Sequence, residues 1–546
     1  MIKKAWIILV SVFIVVAWVF SMAQAEKEKR PAKKPKAAVL KKVDEAVCFG
    51  CHPEVQDLTG RGKHAQEVNC ALCHSETSGH LEDSAKRPFT RLDLESCGNC
   101  HKEQLRTLME VNLKSKAKLE KATTTSRSPT FDKLMTPHGF TKEHAEPRSH
   151  AFMLIDHMIV DRGYGGRFQL KDWTYVDKKG KLWDVIEDTE KELAQTAKAA
   201  NTVCFTCKTS DHVLKWPYLG DANPNTPLKR APNPAAIEMA KNHLQNPMGC
   251  IHCHDPHAGK PRVIRDALIE AVVDRGEGTY PYDQKKSKEI TIEKIMFKRG
   301  GQEFRAIGIL SQSDSNLLCA QCHVEYNCNP GIDTKTGGSM GMDDRRANYY
   351  PWVNVLDLQK RYESINFKDF KHAITGAALT KIQHPEVETL WGSKHERAGV
   401  ECKDCHMPKV KRKGKEFTFH GQRSARYMLK DTCLRCHPWT AEEAEYQVDA
   451  IQNYVRGKMR KAEFWLGELI NAFIRAKDFG VSEEVLAEVR KEHDRAHILW
   501  EWWTAENSDG FHNPEMARQS LAESINASQK GIEILNKAIS QKTTPK

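Results

Sequence analysis

Residues 319–326 read Cys-Ala-Gln-Cys-His-Val-Glu-Tyr, and the first five of them form a Cys-x-x-Cys-His pattern. The chain has 546 residues and 17 cysteines, so chance placement predicts less than about one Cys pair at this spacing. Eight such pairs occur. Seven are followed directly by histidine, and the eighth, Cys204/Cys207, is followed by Lys208. This repeat is the dominant feature of the chain.

A Cys-x-x-Cys-His pattern is typical of covalent attachment of c-type haem. The two thiols bond to the haem vinyl groups, and the adjacent histidine coordinates the iron. Zinc sites and disulfides are the alternatives, but neither requires a histidine after nearly every pair. Counting the Lys208 motif, we expect eight haem c groups. The seven histidine motifs are Cys48/Cys51/His52, Cys70/Cys73/His74, Cys97/Cys100/His101, Cys250/Cys253/His254, Cys319/Cys322/His323, Cys402/Cys405/His406 and Cys433/Cys436/His437.

The N-terminus has the pattern of a secretory signal. Lys3 and Lys4 precede an uncharged apolar run over residues 5–20, and Ala23-x-Ala25 is a cleavage signature. We therefore expect a signal peptide over residues 1–25 and a periplasmic protein, which suits haem attachment outside the cytoplasm. An uncleaved membrane anchor is the alternative, although the apolar run is short for a membrane span.

The positive charge of the chain is concentrated near its start. The formal net charge is +11, and residues 1–42 contain ten Lys or Arg against two Glu. Residues 26–42, rich in Lys, Ala and Pro, are expected to form a basic flexible tether. Because the rest of the chain is close to neutral, we expect no binding of nucleic acid.

The chain has more histidines than its motifs use. Seven of the 24 follow a Cys pair, which leaves 17. A haem that only transfers electrons usually has a second axial ligand, most often histidine. Four candidates lie close to a motif in sequence: His64, His243, His257 and His395. A surface or core role remains the alternative for any one of them.

The uneven spacing of the motifs predicts three regions after the tether. Three motifs fall within residues 43–145, which we interpret as an N-terminal three-haem domain. Five fall within residues 146–437, a five-haem core. Residues 438–546 contain none, and their helical periodicity predicts long helices at about 440–477, 482–506 and 513–540, with a capping box at Thr440. We expect a mainly α multihaem cytochrome c with long loops, short strands within 262–312, little sheet, and haem in place of much of the apolar core.

Lys208 sets one haem apart from the others. A lysine amine has an ordinary pKa of about 10.4, so iron must displace a proton before the nitrogen can coordinate. The haem with this unusual ligand is the natural candidate for an open sixth position. A damaged motif or a redox-active dithiol is the alternative.

Four segments carry a resemblance to a known family. They are C-F-T-C-K (204–208), C-A-Q-C-H-V-E-Y (319–326), K-I-Q-H-P-E (381–386) and C-K-D-C-H-M-P-K-V (402–410). From about residue 146 onward the chain resembles cytochrome c nitrite reductase, which reduces nitrite to ammonia. The usual members have five haems, and the three extra motifs resemble the octahaem branch.

The resemblance implies roles for individual residues. Lys208 is the expected proximal ligand of the catalytic haem. Arg162, Tyr326 and His384 are the expected distal residues, and a protonated His384 beside Arg162 would stabilise an anionic substrate. Calcium is expected on Glu325, Gln383 and the carbonyl oxygens of Tyr326 and Lys381, because a hard cation prefers oxygen ligands. Further distal haem ligands are expected at His150, His395, His420 and His512, with His497 a weaker candidate.

Cys328 is the one cysteine outside a haem motif. In an extended segment it points the same way as Tyr326, two residues earlier. A Tyr326–Cys328 thioether is therefore expected, as in the octahaem branch. A buried free thiol is the alternative.

These observations predict a periplasmic nitrite reductase, and the resemblance implies hydroxylamine and sulfite as further substrates. An octahaem tetrathionate reductase, a hydroxylamine oxidoreductase-like enzyme and a multihaem electron carrier remain the alternatives. The expected partners are nitrite and other small nitrogen oxyanions, and an electron donor that is either quinol-linked or a periplasmic cytochrome. A homo-oligomer, such as a hexamer, is implied by the resemblance.

Overall fold

The computed structural model describes residues 43–86, 88–110, 130–137, 149–153, 206–211, 246–299, 302–327, 331–341 and 344–543. The predicted signal peptide and tether lie outside this part of the chain. Most of the regular structure is helical, which confirms the mainly α fold with little sheet. Across the described ranges, no helix has both the length and the apolar character needed to cross a membrane.

Short helices separated by loops make up most of the chain before residue 438, and many of them begin or end at a haem motif. The α-helices are Glu45–Phe49, Pro53–Gly60, His64–Glu67, Thr77–Glu82, Leu94–Gly98, Lys102–Leu108, Phe131–Met135, Asp266–Ile269, Gln284–Glu289, Ser315–Cys319, Leu358–Ser364, Glu386–Leu390, Lys394–Arg397 and Cys402–His406. Single 3₁₀ turns are Cys70–Leu72, His150–Phe152, Cys250–His252, Arg345–Asn348, Ala425–Tyr427, Leu429–Asp431 and Cys433–Arg435, and a π turn spans Glu270–Asp274.

Three long helices follow the last motif: Ala441–Asp478, Glu483–Ala505 and Pro514–Thr543. Their bounds confirm the three predicted helical runs to within three residues. Thr440 caps the first helix as predicted, since its hydroxyl accepts from the Glu443 amide at 3.1 Å and the Glu443 carboxylate accepts from the Thr440 amide at 2.8 Å. Gly480 allows the chain to turn after this helix, because its φ of 64° is unfavourable for other residues.

The sheet structure consists of one small sheet and four two-stranded pairs. In the sheet, Gln302–Leu310 lies between Arg262–Val263 and Ile292–Arg299, and both neighbours are antiparallel to it. The central hairpin is longer than the short strands that the sequence predicts. The two-stranded pairs are His74–Ser75 with Phe89–Thr90, Ile332–Asp333 with Phe367–Lys368, Phe370–Lys371 with Ala378–Leu379, and Lys409–Arg412 with Lys415–Thr418.

Three buried tryptophans connect the long helices to the rest of the protein. Trp500, Trp502 and Trp503 have no exposed surface. Their indole N–H groups donate to Glu463 on the first long helix at 3.3 Å, to Thr389 in the Glu386–Leu390 helix at 2.8 Å, and to Ser520 on the third long helix at 2.7 Å, respectively. The expectation that haem replaces most of the apolar core is wrong for this region, because the three helices pack around an apolar core of their own.

The predicted boundary at residue 145/146 is crossed by direct contacts. Arg61 forms an ion pair with Glu293 on the sheet at 2.5 Å, and His64 Nδ1 lies 2.8 Å from the Pro256 carbonyl oxygen. The first three motifs therefore pack against the later region, and their separation as a domain stays a prediction.

Gly531 marks a close approach between the long helices. A Cβ at this position would lie 2.7 Å from Leu469 Cδ1 and 2.9 Å from Val489 Cγ1, whereas a Cβ at Gly457 would meet nothing within 4 Å. We expect Gly531→Leu to lower the free energy of unfolding by about 1–3 kcal/mol through overpacking. Gly457→Leu, on an exposed helix face, is the control and should be neutral or slightly stabilising. Thermal unfolding followed by circular dichroism measures both, and equal melting temperatures would contradict this packing.

Candidate haem centres and reaction site

Each Cys-x-x-Cys-His motif folds as a short turn that collects its three reactive groups. The His323 amide donates to the Cys319 carbonyl at 2.9 Å, which is a helical i to i−4 bond. Side chains at positions i, i+3 and i+4 of such a turn lie on one face. The same bond joins His52 to Cys48, His101 to Cys97, His254 to Cys250 and His437 to Cys433, at 2.9–3.0 Å. None of the described cysteines forms a disulfide.

Three of the predicted attachment cysteines, Cys51, Cys100 and Cys436, have exposed side chains. Each is the second cysteine of its motif, and the first cysteine of the same motif is partly buried. Haem attachment at these three cysteines stays a prediction.

Six of the seven motif histidines face a second histidine at one recurring distance. Two imidazole nitrogens that bind one metal ion from opposite sides, each about 2 Å away, place their ring centroids roughly 6 Å apart. The pairs and their centroid separations are His52–His80 (6.3 Å), His74–His257 (6.4 Å), His101–His64 (6.3 Å), His323–His150 (6.3 Å), His406–His512 (6.3 Å) and His437–His395 (6.4 Å).

The seventh motif histidine, His254, is close to His420. The charge of His420 is the foremost charged influence on His254, where burial and then this neighbour lower the pKa to about 4. Six of the candidate ligands from the sequence therefore each lie beside a motif histidine. His80 was missed, because neither its spacing nor the family resemblance distinguishes it from other histidines.

In many of the paired histidines, the outer ring nitrogen, Nδ1, lies close to an oxygen atom of the protein. Nδ1 of His64, His80 and His420 each lies 2.8 Å from a backbone carbonyl oxygen, of Pro256, Lys86 and Thr418 respectively. A hydrogen bond at Nδ1 fixes the tautomer and leaves Nε2 free to bind a metal. Further Nδ1 hydrogen bonds join His406 to the Arg423 carbonyl (3.0 Å), His74 to the Thr90 hydroxyl (3.1 Å) and His323 to the Glu386 carboxylate (3.3 Å). Carboxylate oxygens also lie near Nδ1 of His512 (Glu506, 2.6 Å), His52 (Glu54, 3.5 Å) and His257 (Asp255, 3.7 Å).

Thiols of different motifs also lie next to each other. Cys207 of the Lys208 motif is within hydrogen-bonding reach of Cys322, and Cys319 is within reach of Cys402. Cys97 and Cys250 form a third such contact. Groups attached at these cysteines would therefore be close neighbours.

Lys208, Tyr326 and His384 converge beside the Cys207–Cys322 contact. The rings of Tyr326 and His384 stack with centroids 6.4 Å apart and an interplanar angle of 23°. Lys208 is among the positive groups that act on His384, and its carbonyl accepts from the Met248 amide at 3.0 Å. The structure thus brings together three of the predicted catalytic residues, on segments that are far apart in sequence.

The expected protonation of His384 differs from what the structure indicates. Part of its surface is accessible, but burial lowers its pKa to about 3; the charge of Glu386 opposes this shift, and those of His323, Lys208 and Lys381 add to it. His384 is therefore neutral at pH 7 before an anion binds. An anion in the pocket would raise this pKa.

The predicted calcium ligands also lie together. Glu325 is fully buried; it accepts from the Gln383 amide at 2.7 Å and from the Tyr362 hydroxyl at 2.6 Å. Lys381 is close enough for its charge to act on Glu325, whose pKa burial nevertheless raises to about 8. Within the described ranges, no group of three or more His, Cys, Asp or Glu could hold a metal by itself, which is consistent with a site made largely of carbonyl and amide oxygens.

Unsatisfied polar atoms around Glu325 indicate that this site suits a cation. Buried Glu388 Oε2 and Asp369 Oδ1 have no hydrogen-bond partner. Burial raises the pKa of Asp369 to about 7 and that of Glu388 well above its ordinary value. Because buried carboxylates are costly without a compensating charge, these residues fit a bound divalent cation.

Several predicted residues are outside the described part of the chain: Arg162, Cys204, His243 and Cys328. His497 is described, and it does not face a motif histidine. Its Nε2 lies 2.8 Å from Glu501 Oε2 on the same helix and 3.1 Å from the Thr380 carbonyl oxygen. The weaker suggestion that His497 is a distal haem ligand is therefore wrong.

Comparisons with known proteins agree with this arrangement. The family model for cytochrome c552 matches residues 109–546, which begins after the first three motifs. Cytochrome c-552 of Bacteroides fragilis is 29% identical over 310 residues, which cover 55% of this chain and 53% of that protein. Cytochrome c-552 of Parabacteroides distasonis is 29% identical over 411 residues, which cover 72% and 65%. The chain thus spans between half and two thirds of the length of these curated relatives.

A solved structure has the same fold. The cytochrome c nitrite reductase of Desulfovibrio desulfuricans, a catalytic subunit described with two calcium sites, superposes with a TM-score of 0.56 at 21% identity, covering 82% of this chain and 87% of that one. The motifs, their paired histidines, the family match and this common fold agree. The chain belongs to the cytochrome c552 family of haem c proteins and has the fold of a cytochrome c nitrite reductase.

Proposed function

We propose that this protein is a periplasmic reductase that converts nitrite to ammonia. The observation that carries the proposal is the convergence of Lys208, Tyr326 and His384 beside the Cys207–Cys322 contact. It brings the one motif without histidine together with an aromatic hydroxyl and an imidazole. The fold shared with a nitrite reductase supports the same substrate.

The reaction requires electrons and protons at one place: one nitrite, six electrons and eight protons give one ammonium ion and two water molecules. A haem with lysine as its proximal ligand would supply an iron with an open sixth position. Tyr326 and His384 would face that position as hydrogen-bond donors. Arg162, the third predicted distal residue, would add the positive charge that an anionic substrate needs.

His384 is proposed to be neutral when nitrite arrives and to gain a proton in the complex. Its pKa of about 3 is set foremost by burial, and the negative charge of an anion beside the ring would raise it. A histidine whose pKa rises on substrate binding can transfer protons to the oxygen atoms that leave as water. We propose hydroxylamine, and sulfite less strongly, as further substrates of the same pocket.

Eight haem c groups are proposed, seven of them with two histidine ligands. The pair separations of 6.3–6.4 Å support this ligation. His323 has a second neighbour, His384, also at 6.3 Å. We assign His150 to the iron because His384 stacks on Tyr326 instead. His420 is proposed as the ligand opposite His254.

The thiol contacts support a route for electrons to Lys208 through the 402–406 and 319–323 motifs. Cys97 meets Cys250, Cys319 meets Cys402, and Cys322 meets Cys207. The motif at 319–323 is therefore proposed as the last relay before the reactive haem. The three N-terminal motifs extend the route outward, toward a quinol-linked or cytochrome donor.

The remaining features complete the proposal. The signal pattern supports export, and a Tyr326–Cys328 thioether would restrict the tyrosine ring. We propose Ca²⁺ on Glu325, Gln383 and the carbonyls of Tyr326 and Lys381, where it would hold the Tyr326 and His384 segments together.

A homo-oligomer, such as a hexamer, is also proposed.

The activity itself is tested with reduced viologen as the electron source. We expect one ammonium ion for each nitrite consumed. His384→Asn should lower kcat/KM for nitrite by about 10²–10⁴-fold, the range for loss of a proton-transfer group. His372→Asn is the control, since His372 is buried away from every motif histidine and bonds to the Lys133 carbonyl. Nitrite consumption without ammonium, or equal losses in both variants, would contradict the proposal.

Removal of His80 tests a ligand that was not predicted from the sequence. We expect His80→Ala to convert the haem at Cys48/Cys51 from low spin to high spin, because only His52 would remain as an axial ligand. Electron paramagnetic resonance of the ferric protein should gain one high-spin component, and His372→Ala should gain none. An unchanged low-spin spectrum in the His80 variant would rule out this ligand.

Calcium binding should release protons at neutral pH. The Glu325 carboxyl has a pKa of about 8 without a cation, so it is largely protonated at pH 7, and Ca²⁺ must displace that proton. Calcium affinity should therefore rise as pH increases through about 8 and then level off. Calorimetry in two buffers with different ionisation enthalpies counts the protons released. No release at pH 7 would contradict a site on Glu325.

A further inference from the structure

Two buried carboxylates contact axial histidines at their outer nitrogens. Glu386 Oε2 lies 3.3 Å from His323 Nδ1, and Glu506 Oε1 lies 2.6 Å from His512 Nδ1. The Glu506 side chain has no exposed surface and that of Glu386 is 10% exposed. Most other outer nitrogens with an observed partner face a neutral carbonyl or hydroxyl oxygen.

Other carboxylates near axial histidines lack this combination of burial and charge. Glu54, 3.5 Å from His52 Nδ1, has a side chain that is 19% exposed, against 10% for Glu386 and none for Glu506. Asp255, 3.7 Å from His257, is neutralised by Arg262 at 2.8 Å. In the described ranges, neither Glu386 nor Glu506 has a lysine or arginine partner.

One turn of the chain holds both carboxylates in their charged form. After the Glu483–Ala505 helix, Asn507 donates to Glu386 through its amide at 3.3 Å and through its side chain. Gly510 donates its amide to Glu506 at 3.1 Å. Hydrogen bonds from neutral donors favour the ionised state of a carboxylate.

We propose that Glu386 and Glu506 are positioning residues that make the haems of the 319–323 and 402–406 motifs stronger reductants than the other relay haems. This inference rests on the ligation given under the proposed function. The hydrogen bond from His323 Nδ1 to Glu386 makes that imidazole a stronger donor, and the negative charge of Glu506, 2.6 Å from His512 Nδ1, favours the more positive ferric state. The ferric state is thereby stabilised, and the reduction potential falls.

The position of these two motifs explains how lower reduction potentials would assist the reaction. Cys319 contacts Cys402, and Cys322 contacts Cys207 of the Lys208 motif. The two tuned haems are therefore the last two before the reactive one. Low potentials at these haems favour transfer of each electron onward to the bound substrate.

The test is a redox titration of the purified holoprotein followed by electron paramagnetic resonance. Glu386→Gln and Glu506→Gln keep the shape of the side chain and remove its charge. In each variant, one low-spin component should be reduced at a higher potential. We expect its ratio of reduced to oxidised form at a fixed potential to rise about tenfold, which equals about 59 mV for one electron. Glu463→Gln, a buried carboxylate bonded to Trp500, is the control and should leave all components unchanged.

Each other outcome contradicts the inference. Unshifted potentials with low-spin signals retained would show that the carboxylates do not tune these haems. Conversion of a component to high spin would show that they hold the ligand in place instead of tuning it. The spectrum of the unaltered protein reports separately whether both haems have two histidine ligands, so a failure of the proposed ligation is recognised before any variant is compared.

Discussion

The structure depends on a recurring distance between paired imidazole rings, which suits two ligands of one metal ion. Six histidine pairs keep a centroid separation of 6.3–6.4 Å, although their members come from segments up to 183 residues apart, as in the His74–His257 pair. In the described part of the chain between residues 43 and 437, short helices and loops satisfy these separations without extended secondary structure. As the proposed haem ligands, these pairs would act as long-range crosslinks, and such crosslinks suit a fold with many short elements and few strands.

The C-terminal helices add a conventional apolar core to the proposed crosslinks. Trp502 reaches from this core to Thr389, in the segment that also contains His384 and Glu386. The turn that follows the same helix holds Glu386 through Asn507. The C-terminal helices therefore pack against the segment that contains His384 and Glu386. Their packing thus affects how these two side chains are oriented.

Local sequence patterns made the haem motifs and the long helices predictable. A Cys-x-x-Cys-His motif requires only one helical turn, and the long helices follow from periodicity and the Thr440 capping box, so their bounds agree with the structure. Distal histidines are harder, because their partners are distant in sequence. His80 carried no local signal, and His497 was misassigned since a helical histidine paired with Glu501 looks the same in sequence as a ligand. The neutral state of His384 depends on burial and on charges from three other segments, which a sequence does not display.

The central claim is that one haem differs in ligation from seven others. Mössbauer spectroscopy of the oxidised protein enriched in ⁵⁷Fe counts both spin states in one experiment. We expect seven low-spin ferric haems for each high-spin haem, and we expect nitrite to alter the high-spin component. A spectrum with low-spin iron alone would contradict it and favour an electron carrier, and two or more high-spin components would contradict the histidine pairs.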